Sequence, residues 1–128
     1  YIPSTVSSGY VTIGTDNIEK SGHFYDTLLA GLGAKRILEN ERLITWGNAK
    51  GSPMLGIIKP FNGGSAEPGN GNMTAIICED RELVDRLHSK ALSLGATNEG
   101  DPGPRGSGNF YGGYFRDLDG NKLVFFNM

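Results

Sequence analysis

The sequence predicts an α+β fold in which two βαβββ units pair and their mixed sheets curl around a cavity. Three observations predict it. Leu32-Gly33-Ala34 recurs as Leu94-Gly95-Ala96, 62 residues later, each time closing a helical pattern. Each helical pattern follows a stretch of period-two alternation and precedes three extended segments. A glycine-rich stretch separates the two copies.

Residues 1–8 read as an N-terminal tail, because they carry no basic segment and no long apolar run. The first unit spans 9–61. Its opening strand covers residues 10–13, and its helix lines up Ile18, Tyr25, Leu28, Leu29 and Leu32 at spacings of three and four. Asp16 is the expected N-cap, with Glu19 three residues on, and Gly33 the expected terminating glycine. Three strands follow, over 35–38, 42–46 and 54–59. Residues 62–71 form a linker rich in glycine.

The second unit spans 72–128. A strand over 73–77 leads into a helix whose stripe is Leu83, Val84, Leu87, Ala91 and Leu94, capped by Asp80 and closed by Gly95. A short extended piece is expected over 97–99. The stretch 100–109, with Pro102, Pro104 and Arg105, is expected as a flexible lid or a plain connector. Strands over 111–116 and 122–127 end the chain, joined by a hairpin at 117–121. One helix can cover only one face of each sheet, so pairing lets the two bare faces curl toward each other.

A chain of 128 residues makes one domain overall, large enough for a core without covalent staples. Twelve basic against fourteen acidic residues give a net charge of −2 and a pI near 5.6. No basic field exists to hold nucleic acid or an anionic membrane. The longest apolar runs, 75–78 and 123–126, fall far short of the ~20 residues of a membrane span. The single cysteine, Cys78, excludes an intramolecular disulfide and a cysteine-based zinc cluster, and fits a cytoplasmic setting. It lies beside the acidic start of the second helix, which raises a thiol pKa, and no histidine stands next to it as a base.

Other motifs fail on inspection. Asp117-x-Asp119-Gly120 begins like a calcium loop but lacks the closing Glu. The glycines after Pro68 precede no Lys-Ser/Thr, so they make no nucleotide phosphate loop.

Two segments carry a family resemblance. Gly9-Tyr10-Val11-Thr12-Ile13-Gly14, ahead of a helix with Phe24-Tyr25, is one; Tyr114-Phe115-Arg116-Asp117-Leu118-Asp119-Gly120-Asn121 is the other. Together they resemble the vicinal-oxygen-chelate superfamily, which holds glyoxalase I, bleomycin-resistance proteins, fosfomycin-resistance thiol transferases and extradiol dioxygenases. The likeness covers about residues 9–127. It implies a homodimer and, in most of the enzymes, one divalent metal held by His and Glu on the concave sheet faces.

The positions that the resemblance assigns to those ligands hold Tyr10, Met73 and Val124 here. A neutral phenol, a thioether and an isopropyl group do not replace imidazoles and a carboxylate on a hard or borderline divalent ion. No metal and no other cofactor is therefore expected. His23 and His88 fall within the two helices and are expected at the surface or its boundary.

If Tyr10, Met73 and Val124 face the cavity, alternation brings Thr12, Ala75, Ile77 and Phe126 to the same side. The resemblance aligns Tyr114 with an active-site tyrosine of the fosfomycin-type relatives, so Gly112 and Arg116 share its face. Trp46, Met54 and Phe110 extend the lining, and Arg105 is expected either to clamp a carboxylate or phosphate of the ligand or to be merely solvated. Such a lining suits an aromatic or flat organic ligand. The competing reading is a solid core, with Arg116 merely paired to Asp117 or Asp119.

The function expected is metal-independent binding of a small apolar or aromatic molecule, as the resemblance to the bleomycin-resistance branch implies. The alternative is a lyase, isomerase or dioxygenase with unusual metal ligands or with Tyr114 and Tyr10 as acid and base. A non-catalytic partner subunit with a filled core is a third. The residues favour binding over catalysis, because no Lys or His is visibly placed to pull a phenol toward neutrality.

Overall fold

The computed structural model describes residues 9–49 and 51–128; the tail expected over 1–8 lies outside them. The chain divides into two units, one through Gly64 and one from Ser65, within the glycine-rich stretch.

In the first unit, strand β1 (Tyr10–Gly14) leads to helix α1 (Ile18–Leu29), a 3-10 turn (Ala30–Leu32), then β2 (Lys35–Glu39), β3 (Leu43–Gly47) and β4 (Met54–Ile58). The sheet order is β1-β4-β3-β2, with β1 parallel to β4 and the other pairs antiparallel. The second unit repeats this plan. Strand β5 (Thr74–Ile77), helix α2 (Arg81–Ser93), β6 (Thr97–Pro104), β7 (Tyr111–Arg116) and β8 (Lys122–Asn127) build a sheet of order β5-β8-β7-β6. Among the described residues no helix is long and apolar enough to cross a membrane.

Helix α1 starts one residue later than the sequence suggested. Asn17, not Asp16, is the N-cap, and its side chain accepts from the Lys20 amide at 3.0 Å. Thr15 favours this choice: its hydroxyl accepts from the Asn17 amide at 3.1 Å and holds that residue extended. Asp80 caps α2 as expected, accepting from the Leu83 amide at 2.8 Å. Gly33 and Gly95 close the two helical segments at φ 75° and 106°, a left-handed region that costs glycine least.

Helix α1 buries Phe24, Tyr25, Leu28 and Leu29 in the core that also takes Ile44, Trp46, Leu55 and Ile57 from β3 and β4. Helix α2 buries Leu83, Val84, Leu87 and Ala91 in the core of Phe115, Leu123 and Phe125. Each large side chain so removed from water contributes roughly 1.5–3 kcal/mol before entropy is counted.

Strand β6 runs on through Pro104, well past the three residues expected. Its pairing with β7 skips between Asn98 and Gly100 and again between Gly100 and Gly103. Glycine and proline hid this strand in the sequence, because they break the alternation that marks a regular one. The first half of the segment expected as a lid is therefore sheet.

Candidate functional site

Register assigns every strand side chain to a face. In the first sheet Trp46 pairs with Leu55, and Ile44 with Ile57, all four buried on the side of α1. Their neighbours in sequence, Thr45, Met54 and Gly56, therefore face away from the helix. Tyr10 pairs with Met54 and Thr12 with Gly56, so both share that helix-free face. Tyr10 is 54% exposed.

Trp46 corrects the sequence reading. Its ring meets Tyr25 at 5.6 Å between centroids, and its indole N–H donates to Asp26 Oδ1 at 2.9 Å. A buried indole needs an acceptor, and α1 supplies it. Trp46 belongs to the helix-side core, not to the face carrying Tyr10 and Thr12.

In the second sheet Leu123, Phe125, Phe115 and Gly113 lie on the side of α2. The opposite face carries Ala75 and Ile77 from β5, Lys122, Val124 and Phe126 from β8, and Gly112, Tyr114 and Arg116 from β7. Met73, just before β5, continues the Ala75 and Ile77 row and is 46% exposed. The structure thus gathers Met73, Ala75, Tyr114, Val124 and Phe126 on one surface.

Phe110 joins them from the turn before β7. Its ring stacks on Phe126 with centroids 5.3 Å apart and planes 8° apart. Gly112 makes this possible, since a Cβ there would sit 2.7 Å from Phe110 Cε1. Val124, on the same face, is fully buried.

Arg105 folds back over this surface. Its guanidinium donates to the carbonyls of Asp101 at 2.7 Å and Pro104 at 3.2 Å, and lies 5.3 Å from the Tyr114 ring centre. Lys122 Nζ lies 5.5 Å from the same ring. Two cations thus flank one phenol ring. Arg116 pairs with neither Asp117 nor Asp119: its Nε donates to Glu99 at 2.7 Å and its Nη1 to the Gly120 carbonyl at 3.1 Å. In the hairpin the Asp117 carboxylate accepts from the amides of Asp119 and Asn121.

His23 is exposed, as expected, but His88 is not. Only 3% exposed, His88 holds Nε2 within 3.1 Å of Asn98 Oδ1 and 3.0 Å of the Tyr114 carbonyl. It ties α2 to β6 and to the backbone of Tyr114. A histidine at a core position of the α2 stripe was the available signal, because a buried imidazole needs polar partners. The Cys78 thiol is pushed up to about 11, first by burial and then by the charge of Asp80. At 2% exposure the thiol is closed to solvent.

Sequence reasoning also missed Lys122, although it stands two residues before Val124 and alternation assigns it the same face. Among the described residues no cluster of three or more His, Cys, Asp or Glu is arranged to hold a metal ion. The groups at the expected ligand positions, Tyr10, Met73 and Val124, do not fit a divalent ion by donor chemistry.

Comparison with known proteins supplies the family. The model for the Glyoxalase/Bleomycin resistance protein/Dioxygenase superfamily matches residues 7–125. A glyoxalase/bleomycin resistance protein from Albidiferax ferrireducens T118 is 31% identical, with a TM-score of 0.84 over 94% of this chain and 98% of that one. Two more distant structures share the fold. A glyoxalase-related enzyme from Fulvimarina pelagi is 21% identical, with a TM-score of 0.74 over 94% of this chain and 87% of that one. A lactoylglutathione lyase from Agrobacterium tumefaciens is 18% identical, with a TM-score of 0.68 over 98% and 94%. No curated protein sequence matches. Two sheets with the same strand order, each backed by one helix, together with a match running almost from end to end, make this chain a member of the glyoxalase/bleomycin resistance protein/dioxygenase superfamily.

Proposed function

We propose that the chain binds a small apolar or aromatic molecule, without a metal, against the helix-free face of its second sheet. One observation carries the reading: the parallel Phe110–Phe126 pair shares a face with Tyr114 and the exposed side chains of Met73, Ala75 and Ile77. Stacked rings beside exposed aliphatic groups favour a flat hydrocarbon, while the phenol of Tyr114 offers one directional hydrogen bond. Tyr10 and Thr12 present the corresponding face of the first sheet. Metal independence rests on donor chemistry at Tyr10, Met73 and Val124. A homodimer, the assembly the family resemblance implies, goes with this reading.

The test uses 1-naphthol as a neutral aromatic probe, with protein purified without chelator and analysed for metal. The expected result is saturable quenching of naphthol fluorescence at substoichiometric metal, weakened about two- to tenfold by Phe126→Ala, the range of one ring contact. Tyr114→Phe should weaken it while leaving the unfolding midpoint nearly unchanged. One tight divalent ion per chain, or naphthol binding indifferent to Phe126→Ala, overturns the proposal.

A further inference from the structure

Beside Tyr114 lies a cavity of about 620 Å³ lined by Pro68, Gly69, Asn70, Gly71, Asn72, Met73, Arg116 and Lys122. Its charged lining is all cationic, in a chain whose net charge is −2. Arg116 is paired with Glu99, but Lys122 forms no salt bridge among the described residues. The other wall is a loop of small residues. A turn spans Asn70 and Gly71 in this loop and leaves the amides of Gly69, Asn70 and Gly71 outside the sheet.

The loop's shape depends on its glycines. Gly71 has φ 95°, and a Cβ at Gly69 would collide with the side-chain amide of Asn72. Pro68 rests against Gly120, 3.5 Å from the position a Cβ would take there, and so seats the loop on the hairpin that joins β7 to β8. A small-residue loop with two asparagines thus lines one cavity with a guanidinium and with an ammonium that has no ion pair among the described residues. Such donors suit an oxyanion.

We propose that this cavity is an anion subsite, which holds the carboxylate or phosphate of a ligand whose ring lies over Phe126 and Tyr114. The proposal deepens the binding function above and rests on it. Lys122 connects the two, since it lines the cavity and its Nζ stands 5.5 Å from the Tyr114 ring centre. The ligand class is accordingly an aromatic acid or an aryl phosphate. The loop is no nucleotide phosphate loop, for no Lys-Ser/Thr follows its glycines; its cation comes instead from β8.

The test compares 1-naphthol, 1-naphthoate, 1-naphthyl phosphate and inorganic phosphate on the full chain, read by fluorescence and by backbone amide NMR shifts. One of the two aryl anions should bind at least tenfold tighter than 1-naphthol and shift the amides of Gly69–Asn72. Whichever does so assigns carboxylate or phosphate as the group. The preference should fall at least fivefold in Lys122→Gln, return in Lys122→Arg, and shrink with added salt.

The subsite is overturned if 1-naphthol binds as tightly as both anions, if the anion shifts avoid residues 69–72, or if Lys122→Gln keeps the preference. The two proposals fail separately. Inorganic phosphate shifting residues 69–72 in a Lys122-dependent way, with no naphthyl compound moving Phe110 or Phe126, keeps the subsite and sinks the aromatic face. Naphthol binding that needs Phe126, with anions no better, does the reverse.

Discussion

Asp26 holds the indole N–H of Trp46 at 2.9 Å and the Nε of Arg36 at 2.8 Å on the same oxygen, while its other oxygen takes Arg36 Nη2 at 2.8 Å. One helical carboxylate therefore fixes both β2 and β3. The Arg36 bond, helped by Trp46 and opposed by burial, holds the Asp26 carboxyl below its ordinary 3.8. The folded carboxyl binds its proton more weakly than the unfolded one. Its contribution is therefore complete above pH 3.8 and drains away as pH falls through the lowered value. Asp26 is 37% exposed, so Asp26→Ala should cost only about 1 kcal/mol at pH 7, after solvent screening. Urea unfolding at pH 7 and at pH 3 should show the difference between variant and parent shrinking in acid, with an altered Trp46 emission.

Gly112 invites the opposite kind of change. A methyl group there meets Phe110 Cε1 at 2.7 Å and Val124 Cγ2 at 3.1 Å. Gly112 is not among the residues with positive φ, so its backbone tolerates alanine. Gly112→Ala should fold, lose roughly 1–3 kcal/mol through crowding, and swing Phe110 off Phe126. Loss of naphthol quenching with an intact circular dichroism spectrum is the expected pair of readings.

The Cys78 thiol offers a measurement at high pH. Its folded value of about 11 exceeds the ordinary 9.0, so the unfolded chain ionises first. The stability it contributes is whole below pH 9.0 and is lost as pH climbs toward about 11. In the native state Cys78 should react with an aromatic disulfide at pH 8 at least a hundredfold more slowly than in 6 M guanidinium, since it is 2% exposed.

Replacing His88 takes a shared donor from two acceptors. His88→Leu removes Nε2 from the Tyr114 carbonyl and from Asn98 Oδ1, which keeps the Gly100 amide at 2.9 Å, beside a closely packed Gly113. A loss of about 1–2 kcal/mol is expected from the weakened polar contacts. Faster amide exchange along β6 than along β8 should locate the damage.

The architecture was legible because both copies obey the same two periods and because glycine closes both helices. The register was legible too. Once the resemblance placed Tyr10, Met73, Val124 and Tyr114 opposite the helices, alternation put Thr12, Ala75, Ile77 and Phe126 there as well. Trp46 was misplaced because β3 is buried on both faces; four of its five residues read as buried, so hydrophobicity carries no phase. Its partners Tyr25 and Asp26, about twenty residues away on α1, settle it. Asp16 and Asn17 are both good caps, and the Thr15 hydroxyl decides between them through a contact no propensity scale contains. The cavity beside Lys122 was illegible because its wall is a glycine-rich loop: the glycines permit its form, but the hairpin that Pro68 rests on lies about fifty residues on and no local pattern announces it.

Strand β6 forms one outer border of the second sheet, and its pairing skips register twice. Pro102 and Pro104 leave gaps in the row of amide donors that a foreign strand would have to bond. Gly100 and Gly103 give such a visitor no side chains to interdigitate with. That border is a poor template for recruiting further polypeptide, which guards a two-sheet molecule against growing sideways into fibres.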